Sequence, residues 1–168
     1  DLTGGGMMMG SDSPMIEAVS YDSNGLVLSG SFDTGLSSPH AISINEESNI
    51  ILTASLTHDF ISKIDLSTEN VNYIPLDASI SDSPSVEMNR LKPLEIVQKN
   101  GLAFITCMGG AWNDTFVKGQ VQVWDVDSMS MISSYEFENN SNPWHIAHHP
   151  TQNIVYIALS GYLNGDPG

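Results

Sequence analysis

Apolar residues along this chain fall at alternate positions or in short β-branched runs, and they do not keep the three- and four-residue spacing of an amphipathic helix. "AISI" (41–44), "IILTAS" (50–55), "VNYIPL" (71–76), "LAFITC" (102–107), "VQVW" (121–124) and "VYIAL" (155–159) have the look of half-buried or fully buried strands. Between such runs stand "DSNG", "NEESN", "STEN", "KNG" and "HPTQN", rich in the residues that form turns. The pattern predicts an all-β chain. "SVEMNRL", 85–91, is the one segment able to hold a helical turn, and it sits inside a long polar connection.

The strands repeat in order. "PHAISINEESNIILTAS" starts at Pro39, "PLEIVQKNGLAFITCMG" at Pro93 and "PWHIAHHPTQNIVYIALSG" at Pro143, spaced 54 and 50 residues apart. Each copy is a proline, a strand, a polar turn and a second apolar strand. A second repeated hairpin lies between them, "SKIDLSTENVNYIPLD" at 62–77 and "VQVWDVDSMSMISSYEF" at 121–137, with an earlier copy at 14–32. Two hairpins per period make four antiparallel strands, the content of one β-propeller blade. The predicted organisation is the outer strands of one blade (14–32), a full blade (39–77), a second full blade (93–137) and the inner strands of a further one (143–160).

Closed propellers have about four to eight blades, and an open arc exposes strand edges and sheet faces. The chain is therefore expected to be an incomplete arc of a seven- or eight-bladed ring. Missing sequence or another subunit would complete it. Its start at Asp1 and its loop-like end "NGDPG" fit a processed or partial piece, from which a signal peptide could have been removed.

The repeats "PHAISINEESNIILTAS…SKIDLSTENVNYIPL" and "PWHIAHHPTQNIVYIALS" resemble the YVTN or YncE-like group of propellers, over most of residues 14–161. What the resemblance implies is the fold and an extracytoplasmic location. The wider architecture includes lactonase-like propellers, haem d1 domains, amine dehydrogenase subunits and nitrous oxide reductase, so it does not choose between enzyme and scaffold.

Charge narrows the partners. Five Lys plus Arg against twenty Asp plus Glu leave a net −15, which repels nucleic acid phosphates and anionic membranes. No apolar run approaches the roughly 18 residues of a membrane helix. The acidic turns "SDSP", "NEES" and "GDPG" suit a solvated surface. Calcium is the sharper alternative, although no D-x-[DN]-x-[DN]-G loop is present. Cys107 is the sole cysteine, so an internal disulfide and two-cysteine zinc or haem motifs are excluded. It ends an apolar strand and is expected to be a buried, inert thiol. The sequons at Asn113 and Asn139 would matter only in a eukaryotic secreted protein.

Three of five histidines lie at His145, His148 and His149. Strand alternation points His145 and His149 one way and His148 the other, so the trio does not converge on one ion. His149, before Pro150, suits a locally bonded turn. His40 and His145 remain as a metal-ligating pair at the mouth of the propeller channel. Nitrous oxide reductase, one of the relatives of this architecture, builds a copper site from inner-strand histidines, which makes copper the metal to consider there, with further histidines needed from elsewhere. Met7, Met8 and Met9 in "GGGMMMG" could offer soft ligands to Cu(I) or pack against a protein partner.

The loops 55–62, 108–119 and 160–168 should project from one face of the disc. They carry His58, Asp59, Trp112, Asn113, Asp114, Phe116, Tyr162 and Asp166, aromatics among amides and acids, as binding loops do. Trp112 and Phe116 could equally cap the adjacent blade. No G-x-S-x-G elbow or Ser/His/Asp arrangement is present. The first reading is a non-catalytic binding or assembly module, without a cofactor, that engages a protein partner or cell-envelope component. The alternative is a redox or hydrolytic propeller of copper, haem d1, quinoprotein or lactonase type.

Overall fold

In the computed structural model the described residues are 15–36, 38–45, 47–77, 90–112, 115–138 and 141–161. β1 (Met15–Asp22) and β2 (Gly25–Asp33) form a hairpin. β3 (Pro39–Asn45), β4 (Ile50–Ser55), β5 (Phe60–Asp65) and β6 (Asn70–Pro75) form a four-stranded antiparallel sheet in chain order. A second four-stranded sheet follows, built from β7 (Pro93–Lys99), β8 (Leu102–Cys107), β11 (Gln120–Asp125) and β12 (Ser130–Glu136). Between β8 and β11 the chain makes a short hairpin of β9 (Gly110–Trp112) and β10 (Thr115–Val117). β13 (Pro143–His148) and β14 (Val155–Leu159) pair last. The all-β class with four-stranded antiparallel sheets is the one that the alternating pattern predicts. Of the segment 85–91, only Arg90 and Leu91 are among the described residues, and they form a bend.

Alternation explains how the sheets pack. Ile50, Leu52 and Ala54 share one face of β4, joined by Ile61 and Ile74 on the neighbouring strands. Ala103, Ile105 and Cys107 share one face of β8, with Ile96 and Trp124 beside them. These two faces form a single buried cluster between the sheets. Each large side chain taken from water there contributes about 1.5–3 kcal/mol.

Polar ties fix the sheets in register. Lys63 Nζ on β5 donates to Val126 O at 2.6 Å and Asp127 O at 3.1 Å, in the β11–β12 turn. Lys99 Nζ, at the end of β7, donates to His149 O and to Gln152 O in the β13–β14 turn. Gln98 N donates to Ser43 Oγ at 3.1 Å, from β7 to β3.

The turns after β5 and β11 share one chemistry. Asp65 Oδ1 accepts from Ser67 N at 2.8 Å and Ser67 Oγ at 2.5 Å, and Asp125 Oδ1 accepts from Ser128 N at 2.8 Å and Ser128 Oγ at 2.7 Å. These are Asx-type turns, in which the side chain substitutes for a backbone acceptor. The side-chain and backbone donors of Ser67 hold the Asp65 carboxyl below its ordinary range, and the backbone and side-chain donors of Ser128 do the same for Asp125. Carbon-detected NMR titration should find both carboxyls ionising at lower pH than a free aspartate. Their contribution is fully present above the ordinary Asp pKa and is lost as pH falls through the lowered folded values.

Candidate functional site

The three proline-led strands β3, β7 and β13 lie side by side, and each carries the same irregularity. Register shifts fall between Pro39 and Ala41, Pro93 and Glu95, and Pro143 and His145. The extra residue of each bulge is therefore the one after the proline: His40, Leu94 or Trp144. Proline tolerates a strand's first position because it has no N–H to offer the ladder, and a bulge re-aims the next side chain.

These bulges line a cleft of about 290 Å³, with His40 and Ile42 from β3, Leu94 and Glu95 from β7, and Trp144 and His145 from β13. Leu94 is buried and supplies an apolar floor. Glu95 Oε2 accepts Ile146 N at 2.6 Å and lies 3.2 Å from His145 Nδ1. The carboxylate thus satisfies a β13 amide across the sheet boundary and orients the imidazole. Trp144 and His145 meet edge to face, with ring centroids 6.4 Å apart.

The structure brings His40 and His145 to this one cleft. A metal centre would need more: no group of three or more His, Cys, Asp or Glu side chains that could hold a metal occurs among the described residues. His149 lies beyond the end of β13, where its Nδ1 accepts from Thr151 N at 3.2 Å and Gln152 N at 3.0 Å. It closes the β13–β14 turn. His148 is exposed, with Nδ1 3.3 Å from His149 O.

His58 and Asp59, read from the sequence as members of a projecting loop, are only 3% and 0% exposed. His58 Nδ1 lies 2.9 Å from Thr57 Oγ1. Asp59 Oδ1 accepts Leu91 N at 2.8 Å and Lys92 N at 3.2 Å, while Oδ2 accepts Arg90 N at 2.8 Å. Three successive amides converge on one carboxylate, an anion nest that clasps the β4–β5 turn to the connection entering β7. These two residues shape the loop from inside, because a buried carboxylate must spend its oxygens on donors. Burial also pushes the Cys107 thiol well above its ordinary range, and the Asp59 charge adds to this, so the thiol is inert at neutral pH.

The 108–119 loop is the β9–β10 hairpin, whose backbones pair Trp112 with Thr115 and Phe116 with Ala111. Asn113, Asp114, Tyr162 and Asp166 lie outside the described residues, as do Met7, Met8 and Met9. Glu95 is the cleft residue that sequence reading passed over. Its signal was available: in the three repeats it occupies the place of Ala41 and His145, two residues after the proline.

No protein-family model matches the chain, and no curated protein sequence does. Among solved structures, the crystal structure of Saccharomyces cerevisiae Sqt1 matches 82% of this chain and 33% of its own, with a TM-score of 0.53 and 14% identity. Sqt1 is a WD40 β-propeller protein. The fold resembles part of a WD40 propeller. At that identity the likeness shows the fold alone, and the chain spans a third of the length of this relative.

The propeller frame makes exposure comparable between repeats. Three residues after each proline stand Ile42, Ile96 and Ile146, exposed by 50%, 4% and 7%. Ile96 and Ile146 are buried, whereas Ile42 is half exposed at the cleft. On the fourth strands Ile74 is 9% exposed, and Tyr135, which pairs in the same way, is 64% exposed. The two sides of the arc show apolar faces that its interior covers.

Proposed function

We propose that this chain is a non-catalytic binding or assembly module, a propeller arc that engages a protein partner through its interstrand loops. The observation that carries the assembly half of the reading is the pair of half-exposed apolar positions on the flanking strands, Ile42 and Tyr135, whose counterparts are buried. A partner that repeats the internal packing suits them best, meaning further four-stranded blades from the same polypeptide or another subunit. The β9–β10 hairpin is the loop proposed to carry specificity, with Trp112 and Phe116 as its aromatic anchors.

The test is native purification of the wild type and of the Trp112→Ala/Phe116→Ala variant, with quantitative mass spectrometry of co-purifying chains. Loss of two aromatic anchors should weaken a stoichiometric partner by about 30-fold or more. Retention equal to wild type counts against the hairpin as the docking element.

A further inference from the structure

Four of the five cations of this chain have structural duties. Lys63 and Lys99 tie sheets together through backbone carbonyls, Arg90 pairs with Asp77, and Lys118 lies 3.7 Å from Glu136. The net charge is −15 with all five cations counted, and its field draws positive groups to the surface. The cleft across β3, β7 and β13 adds local chemistry to that field. Glu95 spends one oxygen, Oε2, on both Ile146 N and His145, while Oε1 has no partner among the described residues. Its side chain is 34% exposed, accessible to a ligand yet partly withdrawn from water. Trp144, 42% exposed, lines the same cleft from the next strand, as does buried Leu94.

A carboxylate oxygen and an indole in one partly enclosed cleft suit a cation on an apolar stem. The carboxylate gives a charge-assisted hydrogen bond, the indole face attracts the charge, and the floor receives the methylenes. We propose that this cleft receives the cationic end of a lysine or arginine side chain from a protein partner. The proposal rests on the binding-module reading and names the chemistry that such a partner presents.

The experiment follows the Trp144 indole N–H resonance of the natively purified protein, assigned with Trp144→Phe. Titrants are N-acetyl-arginine amide, N-acetyl-lysine amide and the neutral N-acetyl-citrulline amide. Both cations should shift the resonance saturably, and citrulline should bind about tenfold more weakly. Glu95→Gln should lower the affinity for both cations by about tenfold and leave citrulline unchanged. Glutamine keeps an acceptor for Ile146 N, so hydrogen exchange at that amide should stay as in the wild type. Equal binding of citrulline and arginine, cation binding untouched by Glu95→Gln, or shifts that bypass Trp144 would each overturn the site. If cations fail to bind while partner retention still depends on Trp112 and Phe116, this site falls and the module reading stands. Cation binding in a protein that retains no partner supports the site and removes the module reading.

Discussion

Asp59→Ala is expected to destabilise the chain by about 3 kcal/mol or more, because it orphans three amides at once, that of buried Leu91 and those of part-buried Arg90 and Lys92. Arg90 N, Leu91 N and Lys92 N all point at this carboxylate, and the side chain of Leu91 is 4% exposed. Lys92 holds a left-handed φ of 53°, a conformation that the clasp helps to fix. The backbone around the clasp is equally committed: Leu76 N donates to Asp59 O, Met108 N to Lys92 O and Gly109 N to Leu91 O. Removing the carboxylate therefore loosens the β4–β5 turn, the end of β6 and the entry to β7 together. Urea denaturation should show a lower midpoint at an unchanged slope. A loss below about 1 kcal/mol would mean that water replaces the carboxylate without penalty. Asp59→Asn should fall between, since its amide nitrogen turns a donor toward one of the three N–H groups.

The same residue gives the stability a pH dependence of defined sign. Burial pushes the Asp59 carboxyl above its ordinary range, and the amides of Leu91, Lys92 and Arg90, with the Arg90 charge, pull it back only in part. A folded pKa above the unfolded one means that the folded state holds the proton more tightly. This group's titration therefore favours the fold most below the ordinary Asp pKa, and that advantage is lost as pH rises through the folded value. The stability difference between the wild type and Asp59→Asn should shrink over this window as pH is raised.

The residues that made the architecture readable are those whose signals are local. Alternation in "IILTAS" and "LAFITC", and a proline recurring at 39, 93 and 143, are properties of a few neighbours, and strands follow from them. The cleft was half readable: His40 and Trp144 stand out as the residues after the proline, but their exposure to one cleft depends on bulges that exist only once strands pair. Glu95 was hidden for a related reason, since its partner Ile146 N lies 51 residues away on the next sheet. His58 and Asp59 misled because polar neighbours in a turn usually mark surface. Only the three amides that follow 31 to 33 residues later reveal a buried clasp.

Gly109→Ala should cost about 3 kcal/mol, through two additive causes that a second glycine separates. Gly109 has φ +67°, and a Cβ built there would stand 2.3 Å from Val117 O and 2.7 Å from Lys118 C and O. These are backbone atoms, which cannot rotate aside, so the strand leaving β10 must retreat. Gly101 has nearly the same φ, +74°, with nothing within 4 Å of its Cβ position. Gly101→Ala therefore carries the left-handed strain alone, about 1–2 kcal/mol, and the excess at Gly109 measures the close approach. The retreat also has a functional reading. Gly110 pairs with Val117 at the base of the β9–β10 hairpin, so the displaced strand would shift the backbone that carries Trp112 and Phe116. Faster amide exchange in β9 and β10, with protection in β4 and β8 unchanged, is the expected signature. Equal losses for the two alanine variants would show that the contact relaxes freely and that the glycine serves only its φ.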